Sequence, residues 1–273
     1  MERSSMGTIL PALDFNEAIK IITGFISDAL EFSGCDGFIL GLSGGIDSAT
    51  VASLCVRAVG PSRVLGLIMP TSTTPREDVK DAEEFARVLG IKTFTIDISD
   101  IQSGVSKLYR DNPKLSRLAY GNIAPRLRMT ILYMYANNRN LLVVGSGNKS
   151  ELVVGYFTKY GDGGADILPI GDLYKTYVKE LARILGVPQR LIDKKPSAGL
   201  WPGQTDEDEL GITYNELDQI LYAIVDLGLS VEETSDLTGI DIKKIERVFG
   251  MIKRSEHKRM PPPSPSIKHL LTK

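Results

Sequence analysis

The octet Gly41-Leu42-Ser43-Gly44-Gly45-Ile46-Asp47-Ser48 carries groups suited to phosphate chemistry. It follows the apolar run Phe38-Ile39-Leu40, so a buried strand leads into a glycine turn and then a helix start. That order presents backbone N–H groups to an anion. Gly44 and Gly45 let the backbone turn tightly and approach a ligand without an intervening Cβ. Ser43 and Ser48 add hydroxyls, and Asp47 offers a carboxylate where a phosphate-bound metal ion would sit. The Walker pattern G-x-x-x-x-G-K-[ST] needs a lysine for the β- and γ-phosphates, and this loop has none. The loop therefore suits a departing pyrophosphate better than a transferred γ-phosphoryl group, and the chemistry it implies is AMP transfer. The plain alternative is an ordinary βα turn, in which the glycines cap and the serine starts a helix.

These residues resemble the S-G-G-x-D-S loop of the N-type ATP pyrophosphatases, which activate an acceptor by adenylylation. The resemblance specifies a half-reaction and leaves the acceptor open. A second constellation narrows it. Gly145-Ser146-Gly147-Asn148-Lys149-Ser150-Glu151 imitates a Walker loop, but Asn148 stands where glycine must precede Lys149. Its other reading is a strand end presenting Ser146 and Glu151 opposite the first loop. Downstream lie Gly155-Tyr156-Phe157-Thr158-Lys159-Tyr160-Gly161-Asp162-Gly163-Gly164-Ala165-Asp166, then the stretch from Lys194 to Glu207, then Ser255-Glu256-His257-Lys258-Arg259. Together these segments resemble the NAD synthetase family, from the first helix to Arg259.

The resemblance implies amidation of deamido-NAD by ammonia, with ATP converted to AMP and pyrophosphate through an acyl adenylate. It implies ATP contacts at Gly41 through Ser48, Ser146, Lys175 and Ser197, with Asp47 and Lys175 as the catalytic pair. Asp47 and Glu151 are the implied Mg²⁺ ligands, through hard oxygen contacts. Lys175 would neutralise phosphate charge in place of a Walker lysine. Arg126, Lys159, Asp166, His257 and Lys258 match deamido-NAD contacts, Arg126 across an implied homodimer. Tyr156 and Phe157 either stack on the nicotinate ring or pack in the core.

The elements that must position these residues follow from periodicity. Asp14-x-x-Glu17 is an N-cap pattern, with Ala18, Ile22, Phe25, Ile26 and Ala29 at helical spacing after it. Strands are expected at 37–42, 64–69, 93–98 and 141–145. Helices are expected to about Val59, from Thr74 to Gly90, over 118–138 and over 175–185. Strands alternating with helices predict an α/β fold: a doubly wound, mostly parallel sheet with helices on both faces and ligands at its carboxyl edge. Residues 146–172 read as a functional loop, and 194–210 as irregular. Helices at 214–227, 231–238 and 242–253 form a helical C-terminal region within one domain spanning 1–273, and 260–273 is a proline-rich tail.

Composition excludes several alternatives. Lys+Arg 32 against Asp+Glu 34 leaves no basic excess for nucleic acid. Cys35 and Cys55 are too few for a disulfide framework, and His257 and His269 too few for a histidine-based triad or zinc site. No apolar run spans a membrane and no signal peptide is evident, so a cytoplasmic protein is expected. One segment points elsewhere: residues 229–245, followed by more basic residues, read like a helix-turn-helix, the mark of a nucleic-acid binder or a tRNA-modifying adenylylase. A nucleotide sensor without chemistry is a third reading, but it has no use for both Asp47 and Glu151. The ~36 residues before the first strand are too few for an amidohydrolase domain. Free ammonia, or ammonia from a separate glutaminase, is the expected nitrogen source.

Overall fold

The computed structural model describes residues 8–111 and 114–270. Four short strands, β1 (Gly37–Gly41), β2 (Val64–Ile68), β3 (Lys92–Thr95) and β4 (Leu141–Val144), form a parallel sheet in the order β3-β2-β1-β4. Their side chains alternate between two cores. Phe38, Leu40, Val64, Ile68 and Val144 face one core, with residues of α1 (Phe15–Ser33), α2 (Ile46–Val59), α3 (Arg76–Leu89) and α8 (Lys175–Ile184). Ile39, Leu65, Leu67 and Val143 face the other, with α6 (Ile123–Arg139). Burial on both faces explains why β1, β2 and β4 read as continuous apolar runs, whereas the edge strand β3 is exposed or half-buried.

The chain moves outward from β1 to β2 and β3, then crosses to β4 on the other side of β1. The order of strands reverses between β1 and β4, and a crevice opens at their carboxyl ends. The Gly41–Ser48 loop leaves β1 there, and Gly145-Ser146 leaves β4 beside it. The doubly wound α/β expectation holds.

Several boundaries differ from the sequence reading. In α1 the buried positions are Ile19, Ile26 and Leu30, whereas Phe25 is exposed. β3 ends at Thr95, and an unexpected helix, α4 (Ser99–Ser106), follows it. The 118–138 stretch is two helices, α5 (Arg117–Gly121) and α6. The loop after β4 contains α7 (Lys149–Val154), capped by the Asn148 side chain and stopped by Gly155 in the left-handed region. Beyond α8 come α9 (Gln189–Ile192), α10 (Asp206–Leu210) in the stretch read as irregular, and α11 (Tyr214–Leu221), which continues as a π-turn over Tyr222–Asp226. The last helices are α12 (Val231–Thr238) and α13 (Ile242–Arg259), the latter running six residues past its expected end. The C-terminal helices share an apolar cluster with Val154 and Tyr174, so they pack directly behind α7 and α8.

Candidate active site

A cavity of about 650 Å³ opens at the carboxyl edge of the sheet. Its floor is the Gly41–Ser48 loop, and its walls include Ser146, Glu151, Lys175, Ser197 and Lys258. The loop is held from within: the Gly45 N–H donates to Ser43 Oγ at 3.2 Å, and Ser48 Oγ donates to the Gly45 carbonyl at 3.1 Å. The two serine hydroxyls lie 3.1 Å apart. The serines expected to meet phosphate thus also set the shape of the loop. No side chain caps the amino end of α2, and its first residues, Ile46, Asp47 and Ser48, line the cavity. Gly44 sits at φ +75°, and a Cβ there would lie 2.3 Å from the Asp78 carbonyl oxygen. Only glycine fits a turn packed this closely on α3.

Asp47, Glu151 and Lys175 converge. Lys175, 1% exposed, donates through Nζ to Asp47 Oδ2 and, at 3.3 Å, to Glu151 Oε1. Asn148 ties the carboxylates further, its Nδ2 donating to Asp47 Oδ1 at 3.2 Å and its Oδ1 accepting the Glu151 N–H at 3.1 Å. The Tyr214 hydroxyl bridges Glu151 Oε1 at 3.2 Å and Asp206 Oδ2 at 3.1 Å. Asp206 is buried, and its Oδ1 has no hydrogen-bond partner. Two carboxylates therefore hold one ammonium, with Asp206 acting on it from farther off. Burial, opposed by Lys175 and reinforced by Asp47 and Asp206, pushes the Glu151 carboxyl up to about 7. Burial alone would lower the Lys175 ammonium, but Asp47 and Glu151 outweigh it and hold it above the usual lysine range.

The donor set suits a hard cation. Asp47 and Glu151 offer carboxylate oxygens to a single point, the place now filled by an ammonium. Among the described residues no three potential ligands gather closely enough to form a complete protein cage.

The other expected site residues divide. Ser146, Ser197 and Lys258 line the cavity, whereas Arg126, Lys159, Asp166 and His257 do not. Lys258 donates to the Gly155 and Phe157 carbonyls at 2.6 and 2.8 Å, and Lys159 donates to the His257 carbonyl at 2.5 Å. Asp166 accepts from the Val143 N–H at 2.7 Å and the Tyr133 hydroxyl at 3.0 Å, pinning the loop to β4. Arg126 is exposed on α6. Tyr156 and Phe157 both reach the cavity wall.

Several site residues escaped the sequence reading. Asn148 belongs to a segment that carries the family resemblance and breaks a Walker match, but the sequence reading gives its side chain no role. Lys194 donates to the Gly44 carbonyl at 3.0 Å and pairs with Asp78 and Asp81 at 2.9 and 2.7 Å, joining the 194–205 segment to the phosphate loop and α3. Arg128 donates from Nε to the Met69 carbonyl at 3.0 Å and borders the cavity.

The family model described as NAD synthase matches residues 18–262. The chain belongs to the NAD synthase family. An NH(3)-dependent NAD(+) synthetase from Archaeoglobus fulgidus is 51% identical, covering 95% of this chain and 100% of its own length. The NMN synthetase structure from Francisella tularensis superposes with a TM-score of 0.82 at 38% identity, covering 94% of this chain and 100% of its own. The NH3-dependent NAD synthetase from Campylobacter jejuni gives 0.79 at 30% identity, covering 93% and 100%. The expected family and fold both hold, and the chain is a carbon–nitrogen ligase that uses ATP.

The helix-turn-helix reading meets a different outcome. α12, the Gly239 turn and α13 do adopt that local shape, but Ile245 and Val248 are buried against the protein's own core. Lys244 pairs with Glu216 at 2.6 Å, and Arg247 Nη2 donates to the Glu209 carbonyl at 3.3 Å. Arg259 donates to the Val153 and Ile252 carbonyls at 2.5 and 2.8 Å. Among the described residues no helix is long and apolar enough to cross a membrane.

Proposed function

We propose that the cavity converts deamido-NAD, ATP and ammonia into NAD, AMP and pyrophosphate. A carboxylate at neutral pH is a poor electrophile, and ammonia cannot displace oxide from it. Attack of the nicotinate carboxylate on the α-phosphorus forms an acyl adenylate and releases pyrophosphate. Ammonia then attacks the acyl carbon, AMP leaves, and the surplus proton passes to solvent. No covalent enzyme intermediate is needed, so positioning and charge neutralisation do the work.

The observation that carries this reading is the Asp47–Lys175–Glu151 cluster at the mouth of a lysine-free phosphate loop. On it, the N–H groups at the start of α2 hold the pyrophosphate, Lys175 offsets its charge, and Ser146 and Ser197 bind the nucleotide. Asp47 and Glu151 hold Mg²⁺, which when bound neutralises the triphosphate. Lys258 reaches the dinucleotide from the cavity wall. Arg126, Lys159, Asp166 and His257 meet it outside this cavity, consistent with a site completed by a second copy in a homodimer. The described residues act as one domain, with 212–259 as its helical backing and 260–270 as its tail; the ends of the 1–273 span, 1–7 and 271–273, lie outside the described residues. No nucleic-acid or membrane partner enters, and the site of action is the cytoplasm.

The test is an incubation of the purified protein with ATP, Mg²⁺ and ammonium or glutamine, with deamido-NAD or nicotinate mononucleotide as acceptor. NAD formation from deamido-NAD with ammonium alone is expected. Glutamine working as well as ammonium would overturn the nitrogen assignment. Amidation of the mononucleotide in preference to the dinucleotide would move the chain toward the activity named for its Francisella relative.

A further inference from the structure

We propose that Asp218, a residue of α11 lying behind the cavity wall, is a positioning residue that sets Glu151 and Lys175 relative to one another. The inference rests on the reading that these two side chains act on ATP.

Asp218 is fully buried, and each of its oxygens has a defined partner. Oδ1 accepts the Ser150 hydroxyl at 2.5 Å, and Oδ2 accepts the Thr176 N–H at 2.9 Å. Ser150 Oγ in turn accepts the Lys175 N–H at 2.9 Å. Ser150 directly precedes Glu151 in the first turn of α7. Lys175 and Thr176 are the first two residues of α8, whose N-cap, Tyr174, has no side-chain capping bond. The open donors of α8 are thus capped from two other helices, with Ser150 supplying a hydroxyl and Asp218 a carboxylate.

The neighbouring contacts form a single strip. Tyr214, Asp218 and Asp226, four and eight residues apart along α11 and its π-turn, engage Glu151, Ser150 and Lys149 in reverse order. The Lys149–Asp226 pair measures 2.8 Å. Tyr214 and Asp218 lie one turn apart on a face of α11, and Asp226 lies in the π-turn beyond it, so α11 and its π-turn together hold three consecutive residues of α7. A carboxylate in the core is costly unless its hydrogen bonds are filled. Here they are filled by the Ser150 hydroxyl and the Thr176 N–H, whose residues are the chain neighbours of Glu151 and Lys175. If Asp218 served stability alone, activity per folded molecule would not depend on it.

The experiment compares D218N, D218A, S150A and S150A/D218N with the wild type. It measures deamido-NAD-dependent ATP–pyrophosphate exchange, the Mg²⁺ activation constant, the KM for ammonia and the thermal midpoint. Small misplacements of reacting groups cost about 10²-fold in rate. D218N and S150A are expected to lose roughly that much kcat and to need more Mg²⁺, with the KM for ammonia within about twofold of wild type. The double variant is expected to lose little more than the worse single one, because the two residues act as a unit. D218N and S150A exchanging at wild-type rates, whatever their thermal midpoints, would overturn the positioning role, as would losses that multiply. If D218A fails to fold, D218N and S150A decide the matter. A wild-type protein without exchange would overturn the reading of the site itself, and this inference with it.

Discussion

Lys175 is the residue on which the site's electrostatics turn. Its side chain is buried in the cavity wall and held by Asp47 and Glu151, with Asp206 nearby. Breaking a buried pair leaves an uncompensated charge, so Lys175→Met should cost about 3–5 kcal/mol of stability, read by denaturant unfolding. Asp47→Asn and Glu151→Gln keep shape and remove charge. Each should lower ATP–pyrophosphate exchange by at least about 10²-fold with the far-ultraviolet spectrum unchanged. Full exchange in either variant would remove that residue from the proposed metal site. Glu151 also has a pH signature. Burial favours its neutral form and raises its carboxyl from 4.5 to about 7. The stability this group contributes is present below the ordinary carboxylate range and is lost as pH rises from about 4.5 to about 7. Without nucleotide, the wild-type melting midpoint should therefore fall more steeply over that window than that of E151Q. Parallel curves would contradict the assignment.

At the scale of elements, the phosphate loop was legible because every instruction for it is local: an apolar strand, two glycines, an uncapped helix start. Its supports were not. Lys194 meets Gly44 from 150 residues away, and Asp218 meets Ser150 from 68 residues away, so no local pattern announces either contact. α4 was missed because Ser99-Asp-Ile-Gln-Ser-Gly-Val-Ser is poor in helix formers, and tertiary packing overrode that preference. α13 outran its expected end because nothing breaks the helix before Pro261. Two glycines show how context divides one residue type. Gly44→Ala faces a left-handed backbone, at roughly 1–2 kcal/mol, and a collision with the Asp78 carbonyl. It should destabilise the fold beyond that amount and abolish nucleotide binding. A Cβ at Gly24, in α1, meets nothing within 4 Å, so Gly24→Ala should stabilise by about 0.5–1 kcal/mol in urea titrations. Lys194→Met frees the loop from the 194–205 segment. Losing a charge-assisted hydrogen bond of about 1.5 kcal/mol should raise the KM for ATP roughly tenfold, and an unchanged KM would make Lys194 a surface ion pair only.

Across the whole molecule, the groups proposed to act on ATP come from both ends of the topology: Asp47 from the first βα unit, Glu151 after the last strand, and Lys175 from the helix after that. The C-terminal helices, which the sequence offered as a possible nucleic-acid reader, are the backing that holds the last two in place. Tyr214, Leu217, Ile220, Leu221, Ile245 and Val248 share a buried cluster with Val154 of α7 and with Tyr174. The described tail residues tell the opposite story, since Met260 through Ile267 are exposed. Two truncations separate these roles. A chain ending at Arg259 should keep its thermal midpoint within about 2 °C of wild type, because it loses no buried side chain of the described tail. A chain ending at Gly211 uncovers Val154 and Tyr174, removes the Asp218 and Tyr214 contacts to α7 and α8, and should not yield a folded monomer. Soluble expression with a cooperative melt of that shorter chain would show that the sheet and its flanking helices stand alone. The C-terminal helices would then be an appendage, and the unity of the chain as one domain would fall with that result.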